Sequence, residues 1–238
     1  MRKSNSNSTN RLGFSDLEEL MSRMTGDEKH SSSATSTLDV LWVLYDQILN
    51  FAPESPEAEA RDRFLLSKGH GPMAYYAVLA AKGIIALDDL HGFGQYESRL
   101  GYHPDRNLLP GVEIASGSLG HGLPVAVGTA LGLAAKGNVS SRVYVLIGDA
   151  ELDEGSNHEA IAVAGRLGLN RLSCIVIDNQ STEHGWPGGI EARFEVEAWS
   201  SQVVDGRDHE AIASALGKHD ASSPSVVVAQ VEPKSHAS

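Results

Sequence analysis

The sequence predicts an α/β fold, a doubly wound parallel sheet with helices on both faces. Three observations predict it. The runs VYVLI (143–147) and CIVI (174–177) are apolar without alternation, which marks strands covered on both sides. Each run ends in a polar turn, IGDAELDEG after the first and IDNQST after the second. The spacing from Val143 to Asp178 fits a single right-handed β-helix-β crossover.

The elements follow in order. Residues 1–11 carry Ser, Asn and charge and are expected to form a disordered arm; residues 12–238 are expected to be one domain. The run SDLEELMSRM reads as a helix capped by Ser15, with Glu18 completing a capping box. GDEKHSSSATS is a polar loop. A second helix begins near Thr37, with apolar residues at Leu38, Leu41, Trp42, Tyr45 and Ile48–Leu49. Phe64-Leu65-Leu66 is a short strand leading through SKGHGP into a helix that starts at Pro72 and runs to Ala81. The stretch from Leu90 to Ile114 is irregular. SGSLGHGLP is a glycine turn before the helix VAVGTALGLAAK, with Pro124 near its start. RVYVLIGDA is a strand, GSNHEAIAVAGRLG a helix, LSCIVIDN a strand, HEAIASAL a helix and SVVVAQV a strand.

Composition narrows the function. Of 238 residues, 41% are hydrophobic and 21% charged, enough apolar residue for a substantial core. Lys plus Arg total 19 and Asp plus Glu 31, a net charge of −12. That field repels nucleic acid and anionic membranes, though it leaves room for an anion in a local pocket. One cysteine excludes an intrachain disulfide framework and a Cys-based zinc site, and Cys174 reads as a buried structural thiol. The first ten residues lack the apolar stretch of a signal peptide, and no apolar run approaches a membrane span. The expectation is a soluble cytoplasmic protein.

Ligands of open α/β sheets bind outside the carboxyl ends of the strands. Asp149 and Asn179 each stand where a strand stops, so neighbouring strands would bring both side chains to one crevice. A carboxylate and an amide oxygen are hard ligands suited to Mg²⁺ or Ca²⁺, and Mg²⁺ usually keeps phosphate oxygens as well. The alternative is a helix cap at Asp149 and a turn at Asn179. GSLGHG (117–122) offers backbone N–H groups just before a helix, a nest for an anion or a seat for a flat ring, or simply a tight reversal. His30, His70, His103, His121 and His158 are read as loop residues beside glycines, and SKGH and GYHP fall near the same rim. Neutral histidine donates one hydrogen bond and accepts another, which suits sugar hydroxyls, phosphate and proton transfer.

Four segments then carry a resemblance: FLLSKGHGPMAYYAVLAAKG (64–83), LGYHPDRNLLPGVEIASGSLGHG (100–122), GDAELDEGSNHEA (148–160) and IDNQST (177–182). In number, order and spacing they resemble transketolase, more closely the N-terminal subunit of a split transketolase, over roughly residues 12–232. The resemblance implies a thiamine diphosphate-binding fold, the diphosphate-binding half, with thiamine diphosphate and Mg²⁺ as cofactors. Carried over motif by motif, Gly148-Asp149-Ala150 would open the diphosphate site, with metal ligation by Asp149, Asn179 and the Ser181 carbonyl. His70 and the Ala150 N–H would hold the diphosphate, and Gly117 and Leu119 would approach the cofactor rings. His30, placed nine residues before Asp39, and His103 would contact the sugar. Glu154 would meet the partner half near the cofactor.

The activity implied is transfer of a two-carbon ketol unit from a ketose or its phosphate to an aldose. It would need a second chain with the pyrimidine-binding half, in an α₂β₂ assembly. Three departures from the family pattern stand out: Ala150 in place of a glycine, HSSSATS in place of a glycine-richer loop, and an end at VEPKSHAS, where the family continues to a further active-site histidine and nearby His236 is left unassigned. Ala150 keeps its N–H and is tolerable where φ is negative. Two other readings share these residues: another thiamine diphosphate enzyme (1-deoxyxylulose-5-phosphate synthase-like, or an α subunit of a 2-oxoacid dehydrogenase), and a non-catalytic partner that keeps the fold.

Overall fold

The computed structural model describes residues 12–24 and 35–233. The predicted N-terminal arm and most of the polar loop, with His30, lie outside the described residues. The rest form a five-stranded, all-parallel sheet of order β1-β2-β3-β5-β4, where β1 is Arg63–Leu66, β2 Val143–Gly148, β3 Leu172–Asp178, β4 Ser200–Asp205 and β5 Ser225–Gln230. The helices are α1 (Leu17–Ser22), α2 (Leu38–Val43), α3 (Met73–Ala81), α4 (Gly122–Ala135), α5 (Gly155–Arg166), α6 (Ile190–Glu195) and α7 (His209–Gly217).

The apolar strands behave as parallel-sheet geometry requires, with successive side chains pointing to opposite faces. On one face Phe64, Leu66, Tyr144, Leu146, Ile175, Ile177, Val227 and Ala229 pack under α1, α2, α3 and α7. On the other, Leu65, Val143, Val145, Ile147, Cys174, Val176, Val226 and Val228 pack under α4, α5 and α6. Because both faces are covered, β2 is buried at every position, which is why its sequence shows no alternation. Each fully buried aliphatic side chain stabilises by about 1.5–3 kcal/mol. Cys174 lies inside this core and burial pushes its thiol pKa well up, so it is inert.

Local chemistry sets the ends. The first helix is capped earlier than Ser15–Glu18 would have it. Gly13 and Asp16 exchange bonds, the Gly13 N–H donating to Asp16 Oδ2 at 2.7 Å and the Asp16 N–H to Gly13 O at 3.1 Å. That opens a 3-10 turn (Phe14–Asp16) ahead of α1, and Ser15 points outward, exposed. Thr37 flanks α2 as expected, and the helix continues as a π turn through Leu44–Ile48. Pro72 flanks α3. α4 begins at Gly122, so Pro124 occupies its first turn, where no intrahelical N–H is needed.

Two elements are absent from the sequence reading, α6 and β4. β4 is a partly exposed edge strand with the pattern SSQVVD, and α6 is only six residues long, so neither carries an apolar run. A polar clamp ties α2 and the segment after β5 to this edge. Asp39 accepts from Arg207 Nη1 at 2.5 Å and His209 Nε2 at 2.9 Å, while Arg207 Nη2 donates to Glu232 at 2.6 Å.

Two glycines of the long helices are predicted to respond oppositely to alanine. A Cβ on Gly165 would overlap the Glu197 carbonyl, so Gly165→Ala should destabilise by about 2 kcal/mol or more. Nothing lies within 4 Å of a Cβ on Gly132, and Gly132→Ala should stabilise by about 0.5–1 kcal/mol. Urea denaturation of the two variants checks both signs.

Candidate cofactor site

The carboxyl ends of β1, β2 and β3 lie side by side, and each opens into a turn rich in polar groups. At the end of β2, Asp149 is fully buried. Its Oδ1 accepts from the Ala150 N–H at 2.9 Å and Ser181 Oγ at 2.6 Å, and its Oδ2 from the N–H groups of Ser181 at 2.6 Å and Thr182 at 3.3 Å. Asp149 and the turn after β3 are thus brought together, as the sequence predicts. Gln180, with φ 56°, turns the chain sharply enough for Ser181 to reach back. Asp153 holds the next part of that turn, accepting from Thr182 Oγ1 at 2.9 Å and the Glu183 N–H at 3.1 Å.

Asn179 is 3% exposed, and its Oδ1 has no hydrogen-bond partner. A buried amide oxygen without a donor costs about 1–3 kcal/mol, and a hard cation would satisfy it. Among the described residues no group of three or more His, Cys, Asp or Glu could hold a metal. The available set is one carboxylate, one amide oxygen and backbone carbonyls. Such a set leaves positive charge on Mg²⁺ to be met by phosphate oxygens, and in that respect it fits a magnesium–diphosphate pair.

The glycine turns converge on the same rim. The His70 and His103 rings meet edge to face with centroids 5.3 Å apart, and both residues are exposed. Gly69 and Gly117 make this approach possible. A Cβ on Gly69 would lie 2.8 Å from Ser116 Oγ, and one on Gly117 would lie 3.0 Å from His103 Cδ2. Gly117 has φ 131°, which side chains rarely adopt. Leu119, 38% exposed, stands on the same loop, and exposed Glu154 leads into α5 beside Gly120. Ala150 lies in a 3-10 turn and has no positive φ, so its methyl is accommodated.

Of the histidines read as loop residues, His121 stays in its loop and His158 is placed otherwise. His158 sits inside α5. Its Nε2 donates to the Leu152 carbonyl at 2.8 Å, and Arg193 Nε donates to its Nδ1 at 3.0 Å, so it braces α5 against α6. His121 flanks α4 with its ring against the Leu119 carbonyl.

Sequence reasoning missed Glu151 and Ser67. Glu151 is 1% exposed and accepts from Ser67 Oγ at 2.6 Å. Burial raises its carboxyl pKa, opposed by the bonds from Ser67, Gly148 and Gly120 and by the Lys68 charge. Four acidic residues crowd DAELDE, and nothing in their order tells which one turns inward.

A doubly wound α/β domain with a polar, glycine-lined crevice across the carboxyl ends of its central strands belongs to the nucleotide- and coenzyme-binding class of folds. Comparison with known proteins makes the assignment specific. Residues 22–231 match the family model described as the transketolase thiamine diphosphate binding domain, and the chain belongs to the transketolase family. It is 56% identical over 220 residues to a Rhodococcoides fascians protein named Ferredoxin fas2, covering 92% of this chain and 72% of that one. It is 42% identical over 191 residues to a putative transketolase family protein of Sinorhizobium fredii, covering 78% and 68%. Transketolase 1 of Aliivibrio fischeri is 37% identical over 203 residues, 79% of this chain but 31% of that enzyme. The crystal structure of Campylobacter jejuni transketolase superposes with a TM-score of 0.74 at 28% identity, over 92% of this chain and 38% of that one. The chain therefore spans about a third of the transketolases it matches.

Removing the Asp149 carboxylate strands the donors that it collects. Asp149→Ala is predicted to speed amide exchange at Ser181 and Thr182 by about tenfold or more, read residue by residue by NMR.

Proposed function

We propose that this chain is the diphosphate-binding subunit of a two-chain transketolase, which transfers a two-carbon ketol unit from a ketose or ketose phosphate to an aldose. The observation that carries the reading is the meeting of Asp149 with the Ser181 turn beside the unpartnered Asn179 Oδ1, at the mouth of a crevice rimmed by His70 and His103. In this reading Asp149, Asn179 Oδ1 and the Ser181 carbonyl hold Mg²⁺. His70 and the backbone at Gly148–Ala150 face the diphosphate, and Gly117 and Leu119 flank the cofactor rings. Bound thiamine diphosphate supplies an electron sink for cleavage of the carbon–carbon bond. The chain's own residues bind and orient: His103, with His30, contacts the sugar hydroxyls and handles their protons, and Glu154 faces the partner.

The pyrimidine-binding half comes from a second chain, in an α₂β₂ assembly. The relatives support this division. The matched segment fills 68% of the Sinorhizobium protein and 31% of the Aliivibrio transketolase, so the former is less than half the latter's length. Related short proteins therefore exist alongside the full-length enzymes.

Affinity capture of the chain from its native cells, followed by native mass spectrometry with thiamine diphosphate and Mg²⁺, tests the reading. The expected result is an equimolar second chain of pyrimidine-domain type, bound cofactor, and ketol transfer from a ketose donor. Asp149→Ala should lower cofactor occupancy in that assembly at least about tenfold. A cofactor-free homodimer would overturn the proposal, and release of carbon dioxide from pyruvate would redirect it to a 2-oxoacid enzyme.

A further inference from the structure

Glu151 has no role in the reading above, yet its buried carboxylate accepts three hydrogen bonds beside the site. Its Oε1 accepts from Ser67 Oγ at 2.6 Å and from the Gly120 N–H at 3.2 Å, and its Oε2 from the Gly148 N–H at 3.0 Å. Ser67 Oγ in turn accepts from the Gly122 N–H at 3.0 Å, and the Glu151 carbonyl accepts from Asn157 Nδ2 at 2.6 Å. Four donors from three separate segments therefore end on one carboxylate and the hydroxyl beside it. These segments are the turn after β1, the glycine loop leading into α4 and the last residue of β2.

A carboxylate here is otherwise costly, because burial disfavours it. An apolar side chain of the same size would remove the acceptors that the Gly120 and Gly148 N–H groups use here. Within the glycine loop the His121 ring bonds the Leu119 carbonyl, but Gly117, Gly120 and Gly122 bring no side chains. Gly120 has φ 78°, and a Cβ there would press on Glu154 and Ser156, while a Cβ on Gly122 would overlap Ser67. The loop is seated instead by the groups it bonds: Glu151, Ser67, and Ser156 Oγ, which donates to the Gly120 carbonyl at 2.7 Å. From this seat the chain leads directly to the site. Gly117, three residues before Gly120, packs against His103, and His70 follows Ser67 by three residues.

We propose that Glu151 is a positioning residue that sets the spacing between the Gly148–Asp149 turn, the Gly117–Gly122 loop and the Ser67–His70 turn, and so holds the cofactor site in register before the cofactor arrives. The proposal rests on the cofactor-site reading above for its functional consequence, but its geometric core stands without it.

Two variants of the full chain test it. E151Q keeps size and one acceptor but turns an NH₂ group toward inward-pointing N–H donors. S67A removes only the hydroxyl. The first readout is NMR of the unliganded chain. The Gln oxygen stays with Ser67 and Gly120, so E151Q should move the Gly148 amide proton upfield and speed its exchange about tenfold, while S67A should do the same at Gly122. The second is calorimetric affinity for Mg²⁺–thiamine diphosphate in the complex with the captured partner. E151Q should weaken it about tenfold and S67A about threefold, with thermal midpoints held within a few degrees. Unchanged Gly148 signals in E151Q, or cofactor affinity within about twofold of the wild type, would overturn the proposal. If E151Q fails to fold, unchanged Gly122 exchange in S67A would overturn it alone. If the wild-type complex binds no thiamine diphosphate, the functional reading fails and the amide signals still decide the positioning claim.

Discussion

A charge buried at the end of β2 organises this molecule's working edge. Asp149 is shut off from water, and a lone carboxylate in that position would be untenable without donors. It gathers them from across the sheet, from Ala150 in its own turn and from Ser181 and Thr182 in the turn after β3. Two strand ends that are thirty positions apart in sequence become one surface. The Asn179 oxygen left over on that surface is buried without a partner, and the proposed function gives it to a metal ion.

The rest of the rim depends on glycine for room and on buried acceptors for order. Gly69, Gly117 and Gly122 sit where any side chain would strike a neighbouring segment, so three loops can touch at backbone distance. Close backbone approach leaves amides facing inward, and those amides need acceptors. Glu151 and Ser67 supply them. The family model that this chain matches is that of a thiamine diphosphate binding domain, and in the proposed function this crevice takes the diphosphate.

Much of this was legible in the sequence because the physics is local. Uninterrupted apolar strands announce burial on both faces, and polar residues at the strand ends announce the site. The convergence of SKGH and GYHP on one rim followed from their places at element ends, and the His70–His103 contact bears it out. What the sequence hid was relational. β4 is held at the sheet edge by pairing with β5 rather than by its own pattern. His158, three residues after a glycine, looks like any loop histidine until Leu152 and Arg193 fix its two nitrogens. Glu151 differs from its acidic neighbours only in facing inward, toward donors that other segments provide.

The most direct test of the account is anomalous diffraction from crystals of the assembled complex grown with Mn²⁺ and thiamine diphosphate. The account predicts one manganese peak per copy of this chain, ligated by Asp149, Asn179 Oδ1 and the Ser181 carbonyl and completed by diphosphate oxygens. A cofactor bound with its metal elsewhere, or with Asn179 Oδ1 still unpartnered, would contradict it.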